Sequence, residues 1–146
     1  MFDYRRLEIW KLSYNVCLSL YKIVEKFPDC EDKNMKSQLR RCSLSLPLNI
    51  AEGSAFTSKK YFLTHLNYSL ASSRETEAIL YIAKGLGYII EEEFQKIKEE
   101  LDLFTSKLVL FMRAIEDECN KASGGTRWKV WHQIKKEIKP SPKTPS

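Results

Sequence analysis

Apolar residues along this chain recur at steps of three and four for most of its length. Between Arg6 and Lys26, Ile9, Val16, Leu20 and Ile23 fall on one helical face that continues to Phe27, flanked by Trp10, Cys17, Tyr21 and Val24. Pro28 stops this helix, and Asp29 or Asp32 is placed to cap the next. The second helix is predicted from Asp32 to Ala55. Thr57 or Ser58 then caps a third, carried by YFLTHLNYSLASSRETEAILYIAKGLGYI. It closes near Gly85 or Gly87 after about 40 Å at roughly 1.5 Å per residue. The fourth helix has the cleanest pattern: Phe94, Ile97, Leu101, Phe104, Leu108, Phe111 and Ile115 alternate steps of three and four without a gap. That spacing is the seam of a left-handed bundle.

Four long helices with short links predict an all-α, antiparallel up-down-up-down four-helix bundle. Ser69, Ala71, Ser72 and Ser73 give helix three a small-residue centre, against which helix two can approach closely. The apolar content exceeds one seam. Leu103, Val109, Leu110 and Met112 lie off the main stripe of helix four, and Ile79, Tyr81 and Ile82 spread around helix three. A helix apolar on two sides is buried on two sides. A second copy of the chain would supply that burial. The competing reading is a wide core stripe with scattered exposed apolar side chains.

Composition agrees with one globular unit: 146 residues, 43% hydrophobic and 29% charged. No run approaches the roughly 18 apolar residues of a membrane span. The start, MFDYRRLEIW, lacks the apolar core of a signal peptide. A cytosolic location is expected. Cys17, Cys30, Cys42 and Cys119 form no CxxC pair and have no histidine at ligand spacing, so they are expected as free thiols packed as small hydrophobes. No cofactor or metal is expected.

Charge divides the chain. The net +5 resides entirely in Ala122–Ser146, where Arg127, Lys129, Lys135, Lys136, Lys139 and Lys143 face one acid, Glu137. Residues 1–121 are neutral overall. The chain is thus expected as a bundle over 1–121 and a basic, tryptophan-containing tail over 122–146, with its last residues disordered. In the tail, Trp128 and Trp131 share one side of a short helix with Ile138, and lysines stand beside them. Stacking aromatics with basic residues suit single-stranded RNA or DNA. They also suit a protein groove or membrane surface, or a helix docked on its own bundle, and the residues alone leave these open. A second basic stripe on helix two is formed by Lys36, Arg40 and Arg41, after Lys33; its plain reading is a solvated helix face.

The chemistry of catalysis is poorly represented. His65 and His132 are far apart, and no phosphate loop, nucleophile elbow or HExxH occurs. The one polar constellation lies in QLRRCSLSLPLNIAEG, Gln38–Gly53. Pro47 removes a helix donor and frees the Ser43 carbonyl, and Ser43 and Ser45 can offer hydroxyls to the loosened turn. Asn49 and Glu52 lie three apart on one face, beyond the expected kink. They read as a hydrogen-bonded device that sets helix register, with Arg40, Arg41 or Arg74 as the partner a buried carboxylate needs. A binding notch is the alternative. A non-enzymatic protein is expected.

LPLNIAEG, following QLRRCSLS and preceding the Ser58-Lys59-Lys60-Tyr61-Phe62 helix start, resembles a bacterial family of four-helix bundles. The family is named for proteins encoded in intervening sequences of 23S ribosomal RNA genes. The resemblance continues through ASSRETEAILYIAKGLGYI and covers roughly residues 5–118. It implies homo-oligomeric rings, commonly pentamers, with no known catalysis. It also implies a relative, the accessory variability protein of diversity-generating retroelements, which binds a reverse transcriptase and its template RNA. Pro47, Asn49, Ile50, Ala51, Glu52 and Gly53 match the motif. The arginine that often follows the glycine is replaced here by Ala55-Phe56, and the basic tail lies beyond the usual family core.

Overall fold

The computed structural model describes residues 3–122; the tail residues Arg127, Trp128, Lys129, Trp131, Lys135, Lys136 and Lys139 lie outside them. Four helices carry the described chain: α1 (Glu8–Val24), α2 (Met35–Ser54), α3 (Lys59–Gly85) and α4 (Glu91–Ala122). Short 3-10 turns at Tyr4–Arg6 and Asp29–Glu31 precede α1 and α2.

Cross-helix pairs fix the directions. Along α1 and just past its end, Glu8 pairs with Lys107, Ser19 donates to Glu100 and Lys26 pairs with Glu93, so α4 runs antiparallel. Between α3 and α4 the pairs are Lys59–Glu118, Phe62–Phe111, Lys98–Glu77 and Tyr81–Phe94, again antiparallel. Between α2 and α3, Leu46 meets Ser69 and Cys42 meets Thr76. Each helix therefore neighbours the next, and α1 closes on α4, as the up-down-up-down expectation requires.

The core follows the periodicity. Ile9, Val16, Leu20, Ile23 and Phe27 are buried, as are Leu39, Leu46 and Ile50, then Leu63, Leu66 and Leu80. Phe94, Ile97, Leu101, Phe104, Leu108 and Ile115 complete it. Burying each such side chain contributes roughly 1.5–3 kcal/mol. One position departs: Phe111 is only partly buried, with its edge against Phe62, while Met112, read as off the stripe, is buried. A straight α-helix drifts from a strict seven-residue repeat, which moves the buried stripe by one position near the end of a long helix.

The helix ends correct several expectations. Asn34, not Asp29 or Asp32, precedes α2, and it makes no side-chain cap. Glu31 accepts from the Met35 amide instead, and both aspartates turn to Lys36. Ser58 stands at the cap of α3 without a side-chain hydrogen bond. At the other end the expectation holds: Gly87 has φ +76°, its amide donates to the Lys84 carbonyl and the Tyr88 amide donates to that of Ala83. This paired arrangement closes a helix through a left-handed residue, which glycine adopts without strain. Among the described residues, no helix is long and apolar enough to cross a membrane. The four thiols are free; Cys17 and Cys42 are buried, whereas Cys30 is exposed, contrary to the expectation of uniform packing.

Candidate functional site

The motif helix α2 passes Pro47 without interruption. The two serines before it part company. Ser43 donates to the Leu39 carbonyl (2.5 Å), and Ser45 faces α3. The motif's polar groups form a ladder along the α2–α3 interface. Thr76 Oγ1 lies 3.1 Å from Cys42 Sγ and 2.9 Å from the Ser72 carbonyl. Ser72 donates to Ser45 Oγ (2.7 Å), and Ser69 donates to the Leu46 carbonyl (2.9 Å). Asn49 Nδ2 donates to Ser45 Oγ (2.8 Å) and to the Ser45 carbonyl (3.0 Å). Every buried side-chain polar atom among the described residues has a partner, as a stable buried network requires. Burial also pushes the Cys42 thiol above its ordinary range.

His65 ends the ladder. Its Nδ1 lies 3.3 Å from Asn49 Oδ1 and 3.7 Å from Glu52 Oε2. Because Oδ1 can only accept, this geometry assigns the proton to Nδ1. The partner of the Asn49–Glu52 pair is therefore His65, not Arg40, Arg41 or Arg74. Arg40 reaches Glu25 (2.9 Å), Arg41 reaches Gln38, and Arg74 reaches Glu77 (2.9 Å). Glu52 is 63% exposed, so its carboxylate keeps water and needs no arginine.

Gly53 sets how closely the two helices approach. A Cβ there would lie 2.7 Å from His65 Cβ and 2.8 Å from Phe62 Cδ2. Only a bare backbone fits. The motif thus contributes a close-packed surface at Gly53, a hydrogen-bonded edge at Asn49, and an apolar face at Ile50, which is fully buried.

Beside this edge sits an aromatic cluster. Phe56, in the α2–α3 turn, stacks on His65 (5.3 Å, 24°) and lies 5.6 Å from Tyr61; Tyr68 meets His65 edge-on at 5.8 Å. Phe56, Tyr61 and Tyr68 are each about half exposed.

The helix-two stripe changes composition in the structure. Lys36 is 5% exposed, and its ammonium meets Asp32 (2.7 Å) and Asp29 (3.4 Å). Those pairs, the Asp32 hydrogen bond first, hold it above the usual lysine range. Lys36 therefore anchors the α1–α2 link and belongs to no solvent-facing stripe. Its four-carbon stem is long enough to lie inside while the charge reaches two surface carboxylates. Arg41 is exposed, and Arg40 is partly covered by its Glu25 pair.

A second feature lies across α1 and α4. Leu12, Asn15, Val16, Leu18, Ser19 and Leu103 line a shallow groove, with the charged Lys22 and Glu100 also in its wall. Leu18 and Leu103 in its wall are about half exposed, as is Leu110, two turns along α4 from Leu103. Among the described residues, no group of three or more histidine, cysteine or acidic side chains could hold a metal.

Comparison with known proteins shows the family. The model of the 23S rRNA-intervening sequence protein family matches residues 5–109. The chain belongs to that family. A crystal structure of a protein of unknown function from the S23 ribosomal protein family of Bacteroides thetaiotaomicron is similar, with TM-score 0.65 and 23% identity. The match covers 71% of this chain and 97% of that one. At that identity the likeness concerns the fold. No curated protein matches the chain. The family match contains the whole α2–α3 ladder and ends before the last turns of α4, so the basic tail lies outside it.

Proposed function

We propose that this family member is a cytosolic, non-enzymatic, self-assembling adaptor whose clustered basic tails hold nucleic acid, RNA first. The supporting observation is a division of labour along the chain. The bundle is neutral and carries half-exposed apolar side chains on α1 and α4, Leu18, Leu103 and Leu110. All surplus positive charge follows α4.

Burying the remaining half of three such side chains contributes roughly 2–5 kcal/mol. Association costs at least about 4 kcal/mol. One such interface is therefore marginal by itself, and a closed ring, in which every copy uses two interfaces, would add a second to each copy. The pentamer that the family resemblance implies has this closure. Because every α4 ends at the same end of the bundle, a ring brings its tails together. Gathered sites raise avidity without any new interaction. A reverse transcriptase with its template RNA is the first nucleoprotein partner to seek by pull-down.

The test is a double substitution on the apolar face, Leu18→Lys with Leu103→Lys. Both side chains are about half exposed, so the bundle keeps its helical spectrum. Light scattering is expected to show a lower solution mass, and RNA affinity is expected to fall with it. Unchanged mass would refute assembly through this face.

A further inference from the structure

We propose that the aromatic cluster at the α2–α3 turn is a second binding surface for single-stranded nucleic acid, a stacking platform on the bundle itself. This inference rests on the nucleic-acid reading above and adds a place, a ligand chemistry and residues that the tail does not supply.

Three large rings stand half exposed within one short stretch: Phe56 at 48%, Tyr61 at 60% and Tyr68 at 55%. The cluster is organised from below. Gly53 lets His65 and Phe62 press against α2. Asn49 and Glu52 hold the His65 imidazole from the other side, at 3.3 and 3.7 Å. Phe56 stacks on that fixed imidazole. The outward faces of Phe56, Tyr61 and Tyr68 are left to solvent. Exposed flat rings suit unpaired bases, because every base has a π-face, and they do not suit a duplex whose bases are already stacked.

Charge supports the same occupant. Lys59 and Lys60 open α3 directly beside the rings, and Lys60 makes no ion pair among the described residues. Lys59 pairs with Glu118, which pins the end of α4 next to the start of α3. The net charge of +5 carried by residues 122–146 thus follows, in sequence, the end of α4 that lies here. Glu52 is the opposing charge: its exposed carboxylate stands at the edge of the cluster.

Fluorescence anisotropy of the full chain with a short labelled oligouridine tests this, with a duplex of equal length as control. Tyr61→Ala with Tyr68→Ala is expected to weaken oligouridine binding about fivefold or more. The slope of log affinity against log salt should stay unchanged, because every phosphate keeps its basic partner. Duplex affinity should also stay unchanged. Glu52→Gln is expected to tighten oligouridine binding, the opposite sign. Equal oligouridine affinity in the tyrosine variant, with wild-type binding intact, overturns the platform while leaving the tail reading standing. No binding by the wild-type chain overturns both. A change in solution mass on tyrosine removal also overturns the platform, since it makes the rings an interface between copies.

Discussion

Replacing Gly53 with alanine tests the close approach of α2 and α3 at the family motif. The added Cβ would meet His65 Cβ at 2.7 Å and Phe62 Cδ2 at 2.8 Å. Comfortable carbon–carbon separation is about 3.5–4.0 Å. The helices must therefore separate locally by roughly 0.8 Å, or His65 and Phe62 must leave their rotamers. Overpacking of this kind costs about 1–3 kcal/mol. Against it stands the gain from replacing a helical glycine by alanine, up to about 1 kcal/mol. With the full propensity gain the expected result is a net loss of up to about 2 kcal/mol, or as much as roughly 8 °C in Tm for a domain of this size. Gly85→Ala is the matched control, because a Cβ there meets nothing within 4 Å. Only the propensity gain operates at that site, so it should be neutral or stabilising. Urea and thermal unfolding by circular dichroism, at one fixed protein concentration, measures both. Gly53→Ala at or above wild-type stability would refute the claim that the motif glycine is required by helix packing.

Other outcomes follow from the same structure. A thiol reagent should label Cys30 rapidly in the native protein, whereas Cys17 and Cys42 should react only on unfolding; burial covers both thiols and pushes both above their ordinary range. Mass spectrometry of the labelled peptides reads this, and early labelling of Cys42 would contradict the buried ladder. Lys36→Met should retain the buried stem while removing both aspartate pairs. The Lys36 ammonium is raised in the folded state, so its contribution is fully present below the ordinary lysine range and is lost as pH rises through the folded value. Wild type should therefore lose more stability than Lys36→Met as pH climbs above about 10.4. Parallel pH–stability curves would show that the pairs contribute nothing.

The four helices were legible because each carries a long apolar stripe, and α4 places Phe94, Ile97, Leu101, Phe104, Leu108 and Ile115 inside as its spacing predicts. Gly87 was legible too, since a left-handed closing residue has one common solution. The α2–α3 ladder was not. Asn49 and Glu52 were visible as a pair, but their partner depends on which turn of α3 lies opposite. The antiparallel register about Ala55–Ser58 puts His65 there. Folding the sequence back at that turn before choosing a partner would have found it. Lys36 was misread because spacing assigns a helix face without showing that Asp29 and Asp32, in the preceding link, curl over it. Phe56 carried no local signal; its stacking on His65 depends on how the α2–α3 turn folds back.

The most direct measurement is RNA titration of the full chain and of a chain ending at Ala122, each with its solution mass determined by light scattering. The bundle core and the α1–α4 face lie entirely within residues 3–122. The shortened chain is expected to keep the assembled mass. Its RNA affinity is expected to fall by an order of magnitude or more. The salt slope is expected to become shallower by about 0.7 for each phosphate that the tail would have neutralised. Equal affinity and equal slope in the two chains would contradict the assignment of nucleic-acid binding to the tail.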